Sequence, residues 1–167
     1  NFGIVYGIGA FSLAEDLGIS NAEAKRYINA YLDRFDGVSE YLKNTVADAY
    51  KNGYVTTLSG RRREIAELSS QNKNLRNFGE RVAMNSPIQG TAADIMKIAM
   101  INVARALKEA KLDARIILQV HDELVLEAHR DCAEQARDIL VREMESAMTL
   151  RVPIPVDVSV GDTWYEN

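Results

Sequence analysis

The chain has 167 residues, 47% of them hydrophobic and 26% charged, with a formal net charge of −4, which is the composition of a globular protein of one domain or two small lobes. Its single cysteine excludes an internal disulfide framework and a cysteine-rich metal site, and is compatible with a reducing cytoplasm. The most apolar segment, residues 95–107, is too short and too interrupted by charge to span a bilayer.

The net negative charge conceals a basic segment. Residues 51–81 contain seven basic and three acidic residues, so this segment is +4 and the remainder of the chain is −8. Local positive charge decides whether a phosphate backbone is attracted. The segment is therefore a candidate contact for nucleic acid, and a solvated surface is the ordinary alternative.

Three amphipathic helices are predicted in the first third of the chain. The first covers residues 10–18 and ends at a glycine. The second begins at Ser20 or Asn21, which are both candidate N-caps. The third follows Gly37 and ends at Gly53, and the apolar residues of all three recur at helical spacing.

The apolar period changes after the third helix. Residues 54–58 suit a strand, and Ser59 with Gly60 suits a turn, which together predict a small hairpin. The second arm of this hairpin begins with three arginines, residues 61–63, so one exposed face is expected to be strongly cationic.

Two further helices are predicted in the middle of the chain. One covers residues 75–84 and is expected to end at Pro87. The next opens with Thr91 and Asp94 at the spacing of a capping box. Because this second helix is apolar around most of its circumference, we expect it to be central.

A second hairpin is predicted later in the chain. Two short apolar runs, residues 116–120 and 124–126, have the length of strands and are expected to be buried. Between them lie three ionisable residues, His121, Asp122 and Glu123, which would be accessible at the hairpin tip.

Carboxylates at such a tip suit a hard cation such as Mg²⁺, and an ordinary polar turn is the equal alternative. Neighbouring strand residues point to opposite faces, so Asp122 and Glu123 are not expected to bind one ion equivalently. A two-ion site would need a carboxylate from another strand. Asp94 and Asp157 are candidates by residue type only.

The end of the chain predicts one more helix, over residues 131–148, and a half-buried strand with alternating valines over residues 156–160. The predicted fold class is α+β, with helices packed on a small antiparallel sheet.

Four separated motifs now identify a resemblance to a known family. They are "NFGIVYG", "GYVTTLSGRRR", "ERVAMNSPIQGTAADIMK" and "QVHDELVLE". Their order is that found in family A DNA polymerases, the bacterial DNA polymerase I type, and the resemblance covers nearly the whole chain. It implies a partial right-hand polymerase domain, with the C-terminal part of the fingers over residues 1–80 and the C-terminal part of the palm over residues 81–167.

The resemblance implies a DNA-directed DNA polymerase of replication and repair, located in the bacterial cytoplasm and associated with the nucleoid. Its partners would be primer–template DNA and deoxynucleoside triphosphates, and its cofactors two Mg²⁺ ions. The sequence begins like the interior of a longer protein and has no counterpart of the first catalytic motif or the thumb. As an excised piece, it is expected to be inactive alone and to self-associate through surface exposed by truncation.

The resemblance also assigns nucleotide contacts near the start of the chain. Phe2, Tyr6 and Gly7 match the end of the family's fingers helix. Phe2 would pack on the sugar and base of the incoming nucleotide and, as a phenylalanine, disfavour dideoxynucleotides. Tyr6 would lie beside the insertion site and check the shape of the base pair.

The contacts with DNA are assigned in the same way. Arg81, Asn85 and Gln89 match residues that face the minor groove of the primer–template, and their spacing of four places them on one helical side. Arg61 and Arg62 are expected to contact DNA as well. After these arginines the chain departs from the family pattern, because Glu64-Ile65-Ala66 stands where an aromatic residue and a proline are common.

The catalytic residues implied by the resemblance are those of the second hairpin tip. Asp122 matches the metal-binding aspartate of the family's third motif. Glu123 is its acidic neighbour, and His121 is expected near the primer terminus.

Two other classes of protein remain as alternatives. A phosphohydrolase of the HD type would use His121 and Asp122 as metal ligands, but that motif normally lies on a helix with further histidines, and the chain has only His129 besides. A non-catalytic helical module that binds nucleic acid would explain the basic segment but leave the hairpin tip unused. Template binding without turnover would favour this second alternative.

Overall fold

The computed structural model describes residues 2–164, except for the side chain of Phe2. The chain divides into two compact units, one that ends at Thr91 and one that begins at Ala92. The assignment of residues 1–80 to the fingers and of residues 81–167 to the palm stays a prediction.

The first unit contains helices, one small sheet and the start of a long helix. Its elements are α1 (Phe2–Val5), α2 (Ala10–Leu17), α3 (Asn21–Arg34), α4 (Asp36–Asn52), β1 (Tyr54–Thr56), β2 (Arg62–Glu64), a 3₁₀ turn (Ala66–Ser69) and the first part of α5 (Lys73–Glu109).

Helix ends in this unit follow local chemistry, as predicted. The Oγ atom of Ser20 accepts a hydrogen bond from the backbone N–H of Glu23 and caps α3. Helices α2 and α4 end at Gly18 and Gly53, which adopt φ of 64° and 80°. Positive φ is strained for other residues, so a glycine at each of these positions allows the helix to stop. Helix α4 begins at Asp36, slightly earlier than predicted.

The hairpin predicted after α4 is confirmed. Strands β1 and β2 are antiparallel, with Val55 opposite Arg63 and Thr56 opposite Arg62. The core of the unit lies on the Val55 side of this hairpin. It contains one buried cluster drawn from α4, the hairpin, the 3₁₀ turn and α5: Ala49, Val55, Ile65, Leu68 and Ala83.

The prediction that a helix ends at Pro87 and another begins at Thr91 is wrong, because α5 is continuous through both residues. A proline inside a helix lacks one N–H donor and usually kinks or breaks it. Here the Oγ1 of Thr91 donates to the carbonyl oxygen of Pro87 at 2.5 Å and accepts from the backbone N–H of Leu58 at 3.0 Å. The hydroxyl thus ties the proline turn to the hairpin instead of capping a new helix.

The second unit contains the rest of α5, β3 (Ala114–Val120), β4 (Glu123–Ala128), a 3₁₀ turn (Arg130–Cys132) and α6 (Ala133–Glu145). Helices α5 and α6 supply a buried cluster of Val103, Leu107, Ala136, Ile139 and Leu140. One face of the antiparallel β3–β4 hairpin packs on this cluster. The chain is therefore α+β, with helices packed on small antiparallel sheets, as predicted.

Two expectations about β structure are wrong in this unit. The strands flanking the tip are not buried on both faces, since Ile117 and Leu118 are 48% and 46% exposed where the register shifts. Residues 156–160 form no strand, and Val158 and Val160 are exposed. A strand requires a neighbour for its backbone groups, and no strand in the described part of the chain pairs with this segment.

Within residues 2–164, no helix combines the length and the apolar character needed to cross a membrane.

We expect Ile65→Ala to destabilise the first unit by about 2–5 kcal/mol, because it leaves a cavity in the core. Ile65 is 2% exposed and belongs to the buried cluster. Urea unfolding followed by circular dichroism measures the change. The matched control is Ile88→Ala, since Ile88 is 51% exposed on α5 and its loss leaves no cavity. Equal destabilisation by the two substitutions would contradict the assigned core.

Candidate functional site

A cleft of about 340 Å³ lies in the first unit. It is bordered by the segment after α1, by strand β2 and by one side of α5. Its lining residues are Tyr6, Arg63, Phe78, Arg81, Val82, Asn85, Ser86 and Gln89. Four of the predicted site residues therefore share one cavity: Tyr6, Arg81, Asn85 and Gln89.

Helix α5 presents the three predicted DNA-contacting residues on the same side. Arg81, Asn85 and Gln89 follow one another at four-residue steps and all line the cleft. Pro87 does not turn the last step away, because the helix continues through it. The Arg81 guanidinium lies 6.0 Å from the centroid of the Phe78 ring, at the outer limit of a cation–π contact.

The segment after α1 closes the cleft through a close backbone approach. The Asn85 side-chain amide donates to the carbonyl oxygen of Tyr6 at 3.4 Å. Gly7 has φ of +78°, and a Cβ atom there would lie 2.6 Å from Cε of Met84. The conformation favours a glycine, and a larger residue would also displace the end of the Met84 side chain, so Gly7 suits the close approach of Tyr6 to α5.

The three arginines of the hairpin have different surroundings. The Arg61 guanidinium donates to the carbonyl oxygen of Gly90 at 3.0 Å. The Arg62 guanidinium lies 4.6 Å from the centroid of the Tyr54 ring, as in a cation–π pair. Arg63 lines the cleft, whereas Arg61 and Arg62, the two predicted DNA contacts, do not.

The sequence prediction missed four lining residues, Arg63, Phe78, Val82 and Ser86. Phe78, Val82 and Ser86 each lie on α5 three residues before one of the predicted DNA contacts. Helical spacing in the sequence could therefore have identified them as neighbours of those contacts. Identifying Arg63 as a lining residue requires knowledge of the strand register in the hairpin, and the alternation of side chains along one strand does not provide it.

The cleft carries positive charge without a neutralising carboxylate. Its lining includes two guanidinium groups, two amides and two aromatic rings, and no Asp or Glu. Glu80, adjacent to Arg81, accepts a hydrogen bond from the Tyr50 hydroxyl at 2.8 Å. This bond is the main reason that the pKa of Tyr50 is raised. The arrangement favours an anionic ligand that also offers hydrogen-bond acceptors.

The second unit presents the ionisable hairpin tip as predicted. Strands β3 and β4 are joined by His121 and Asp122, and Glu123 opens β4 opposite Val120. His121 adopts φ of 52°, and its carbonyl oxygen accepts a hydrogen bond from the Gln119 side chain at 2.7 Å. All three tip residues are exposed, so the hairpin holds a carboxylate outward at the end of a paired strand.

The donor chemistry of Asp122 suits Mg²⁺, which takes one or two protein carboxylates and keeps several waters. Among residues 2–164, however, no group of three or more His, Cys, Asp and Glu side chains is arranged to hold a metal ion. Asp94 is buried and Asp157 is exposed. The described residues thus do not complete a two-ion site.

The HD-type alternative does not fit this geometry. His121 and Asp122 lie in a two-residue loop between strands instead of on a helix. His129 pairs with Asp131, with 3.5 Å between Nδ1 and Oδ2. The predicted contact of the Phe2 side chain with the incoming nucleotide lies outside what the structure describes.

Comparisons with known proteins agree with one another. The model of a family described as "DNA polymerase family A" matches residues 1–166. DNA polymerase I of Caldicellulosiruptor bescii is 54% identical over 167 residues, which are all of this chain and 20% of that protein. DNA polymerase I of Bacillus subtilis is 51% identical over 166 residues, which are 99% of this chain and 19% of that protein. The chain thus spans about a fifth of the length of these relatives.

A solved structure is also similar. It is the POL domain of Pol1 from M. smegmatis in complex with DNA primer-template and dNTP. The TM-score is 0.88 and the identity 47%, with 91% of this chain and 27% of that chain covered.

We expect Gly7→Ala to destabilise the first unit by about 1–3 kcal/mol, because alanine is strained at positive φ. The added methyl group also meets Met84. Unfolding free energies in urea measure the loss. Combining Gly7→Ala with Met84→Ala should relieve the contact but not the backbone strain. The control is Gly9→Ala, where φ is −76° and a Cβ meets no atom within 4 Å. A loss at Gly9 as large as at Gly7 would refute this account.

Proposed function

Because the chain belongs to DNA polymerase family A, we propose that it is part of an enzyme that extends a DNA primer by adding deoxynucleotides to its 3′ end. We place this activity in the replication and repair of bacterial DNA, at the nucleoid in the cytoplasm. The observation that supports it most directly is the cleft of the first unit, where two guanidiniums, two amides and the Tyr6 side chain converge without a carboxylate.

The cleft suits the minor groove of a primer–template duplex. Every Watson–Crick pair presents hydrogen-bond acceptors in the minor groove, and Arg81, Asn85 and Gln89 carry donors at matching helical steps. Donors that address acceptors common to all pairs sense the geometry of pairing and do not read sequence. Similarity to a polymerase domain in complex with primer-template DNA and dNTP supports this choice of ligand.

The nucleotide site adjoins the same cleft in our proposal. Tyr6 lies in the cleft lining and Gly7 holds it against α5, so the Tyr6 ring can test the shape of the newly formed base pair. We assign Phe2 to the sugar and base of the incoming nucleotide by resemblance.

The metal chemistry rests on the second unit. We propose that Asp122 binds Mg²⁺, that Glu123 supports it, and that His121 lies near the primer terminus. When bound, two Mg²⁺ ions would activate the primer 3′-hydroxyl and stabilise the charge of the leaving pyrophosphate. The chain's contribution is an exposed carboxylate held at a fixed strand end. The other ligands would come from outside residues 2–164, so we propose that the 167 residues alone do not polymerise.

Primer extension tests this proposal. The 167-residue chain is compared with C. bescii DNA polymerase I in which this chain replaces the matching residues. We expect extension with Mg²⁺ and four deoxynucleotides only from the chimera, and a loss of more than about a hundredfold with Asp122→Ala, because a metal ligand is removed. Asp131→Ala, which removes a strongly exposed carboxylate, is the control.

Primer extension by the 167 residues alone would show that metal ligands from outside this chain are dispensable. An Asp122→Ala chimera with normal activity would refute the role of Asp122. DNA binding that Asp122→Ala leaves unchanged in the 167-residue chain, together with an unsubstituted chimera that does not extend the primer, would favour the second candidate function, a nucleic-acid-binding module without turnover. The observation behind that candidate is that the cleft lining contains none of the residues of the hairpin tip.

We also propose that the isolated chain self-associates. Among residues 2–164 the β3–β4 sheet has two strands, and Ile117 and Leu118 of β3 expose apolar surface. Light scattering after size exclusion should give a mass above 18.6 kDa that rises with concentration. Ile117→Lys should shift the mass toward that of the monomer, whereas Arg26→Lys, on an exposed helix surface, should not. A monomer at all concentrations would contradict the proposal.

A further inference from the structure

We infer that Arg63 binds a phosphate of the nucleic-acid backbone at the edge of the cleft, and that it is the principal phosphate contact among the three hairpin arginines. This inference rests on the proposed function, because the ligand it requires is the DNA held by Arg81, Asn85 and Gln89.

Strand register determines where Arg63 points. Directly opposed residues of an antiparallel pair share a face of the sheet, and Arg63 is opposite Val55. Val55 is buried in the core that includes Ala83 of α5. The Arg63 side chain therefore leaves the hairpin on its helix-facing side and reaches the cleft beside Arg81.

The neighbouring arginines are engaged elsewhere. Arg62 is opposite Thr56, on the other face of the hairpin, where its guanidinium stacks over Tyr54. Arg61 donates to the carbonyl oxygen of Gly90. Gly90 permits this close approach, since a Cβ atom there would lie 2.6 Å from Cγ2 of Thr57. Arg61 is thus a positioning residue that seats the hairpin on α5.

Arg63 itself is available for a ligand. Its side chain is exposed, and no hydrogen bond or ion pair to it is found among the residues that the structure describes. Arg81 brings a second guanidinium to the same lining, which contains no carboxylate. An anion in the cleft could therefore pair with either guanidinium.

A phosphate diester of the DNA proposed to lie in the cleft suits this position. The planar guanidinium of arginine matches the oxygens of a phosphate in a bidentate contact. The sugar–phosphate backbone borders each groove of a duplex, so DNA whose minor groove faces α5 presents its phosphates to the cleft margin. The same chemistry could come from the triphosphate of a free deoxynucleotide, and the experiment separates the two sources.

The test measures how salt changes the affinity of the 167-residue chain for a fluorescein-labelled primer–template duplex, by fluorescence anisotropy. Each phosphate neutralised contributes about 0.9 to the slope of log K against log salt concentration. Arg63→Ala should lower that slope by about 0.9. Arg63→Lys should restore the slope while binding more weakly than arginine, since it keeps the charge but not the bidentate contact. Arg62→Ala should change the slope less, and Arg26→Ala, remote from the basic segment in sequence, serves as the control.

Each result bears on the inference. It is overturned if Arg63→Ala leaves the slope unchanged, or if Arg62→Ala lowers it as much. It is also overturned if Arg63→Ala weakens the binding of dATP alone, in a parallel titration, and not that of the duplex. Circular dichroism and Tm establish that the variants are folded. If Arg63→Lys is folded but its salt slope stays as low as that of Arg63→Ala, the contact does not depend on charge and the inference fails.

The proposed function fails in a different way. If the unsubstituted chain binds the duplex and Arg81→Ala, Asn85→Ala and Gln89→Ala all leave the affinity unchanged, the cleft is not the DNA site. If those substitutions weaken binding and Arg63→Ala does not, only the role of Arg63 fails. Absence of any duplex binding at low salt overturns both together.

Discussion

One hydroxyl group, Oγ1 of Thr91, joins the long helix α5 to the β1–β2 hairpin, and the cleft of the first unit depends on this connection. It donates to the carbonyl oxygen of Pro87 and accepts from the N–H of Leu58. Pro87 has no N–H of its own, so this turn of α5 lacks a backbone hydrogen bond that other turns have. The Thr91 hydroxyl does not replace that bond, because it donates to the Pro87 carbonyl, but as a buried group it has both an acceptor and a donor partner where the helix and the hairpin meet.

Seating the hairpin on α5 has consequences for the chemistry of the cleft. Gly90 allows the hairpin to approach, and Arg61 holds it through the Gly90 carbonyl. The strand register then divides the next two arginines between opposite faces, Arg62 over Tyr54 and Arg63 into the cleft. The result is a cavity lined by two guanidiniums and two amides and by no carboxylate, which suits an anionic ligand with hydrogen-bond acceptors. In the function we propose, specificity for correctly paired DNA follows from where the donors are held, since acceptors of the minor groove are shared by all pairs.

Much of the local structure could be predicted from the sequence, because the signals involved act over a few residues. Ser20 caps a helix through its own side chain, and Gly53 stops one through a backbone conformation that other residues avoid. The two apolar runs around His121 and Asp122 predicted a hairpin with an exposed carboxylate at its tip, and the structure has it. The four-residue spacing of Arg81, Asn85 and Gln89 likewise places them on one helical side without any tertiary contact.

The sequence by itself thus determined both hairpins, the helices outside α5, the cap at Ser20 and the stops at Gly18 and Gly53, and the family to which the motifs point, since each is encoded in contiguous residues. Only the tertiary structure decided that α5 continues through Pro87, in a turn whose Thr91 hydroxyl is bonded to Leu58, far away along the chain. It decided that alternating valines near Val158 form no strand, because a strand exists only with a paired neighbour. It also decided that Arg63 faces the cleft, because the direction of a strand side chain depends on which face of the hairpin is buried against a helix.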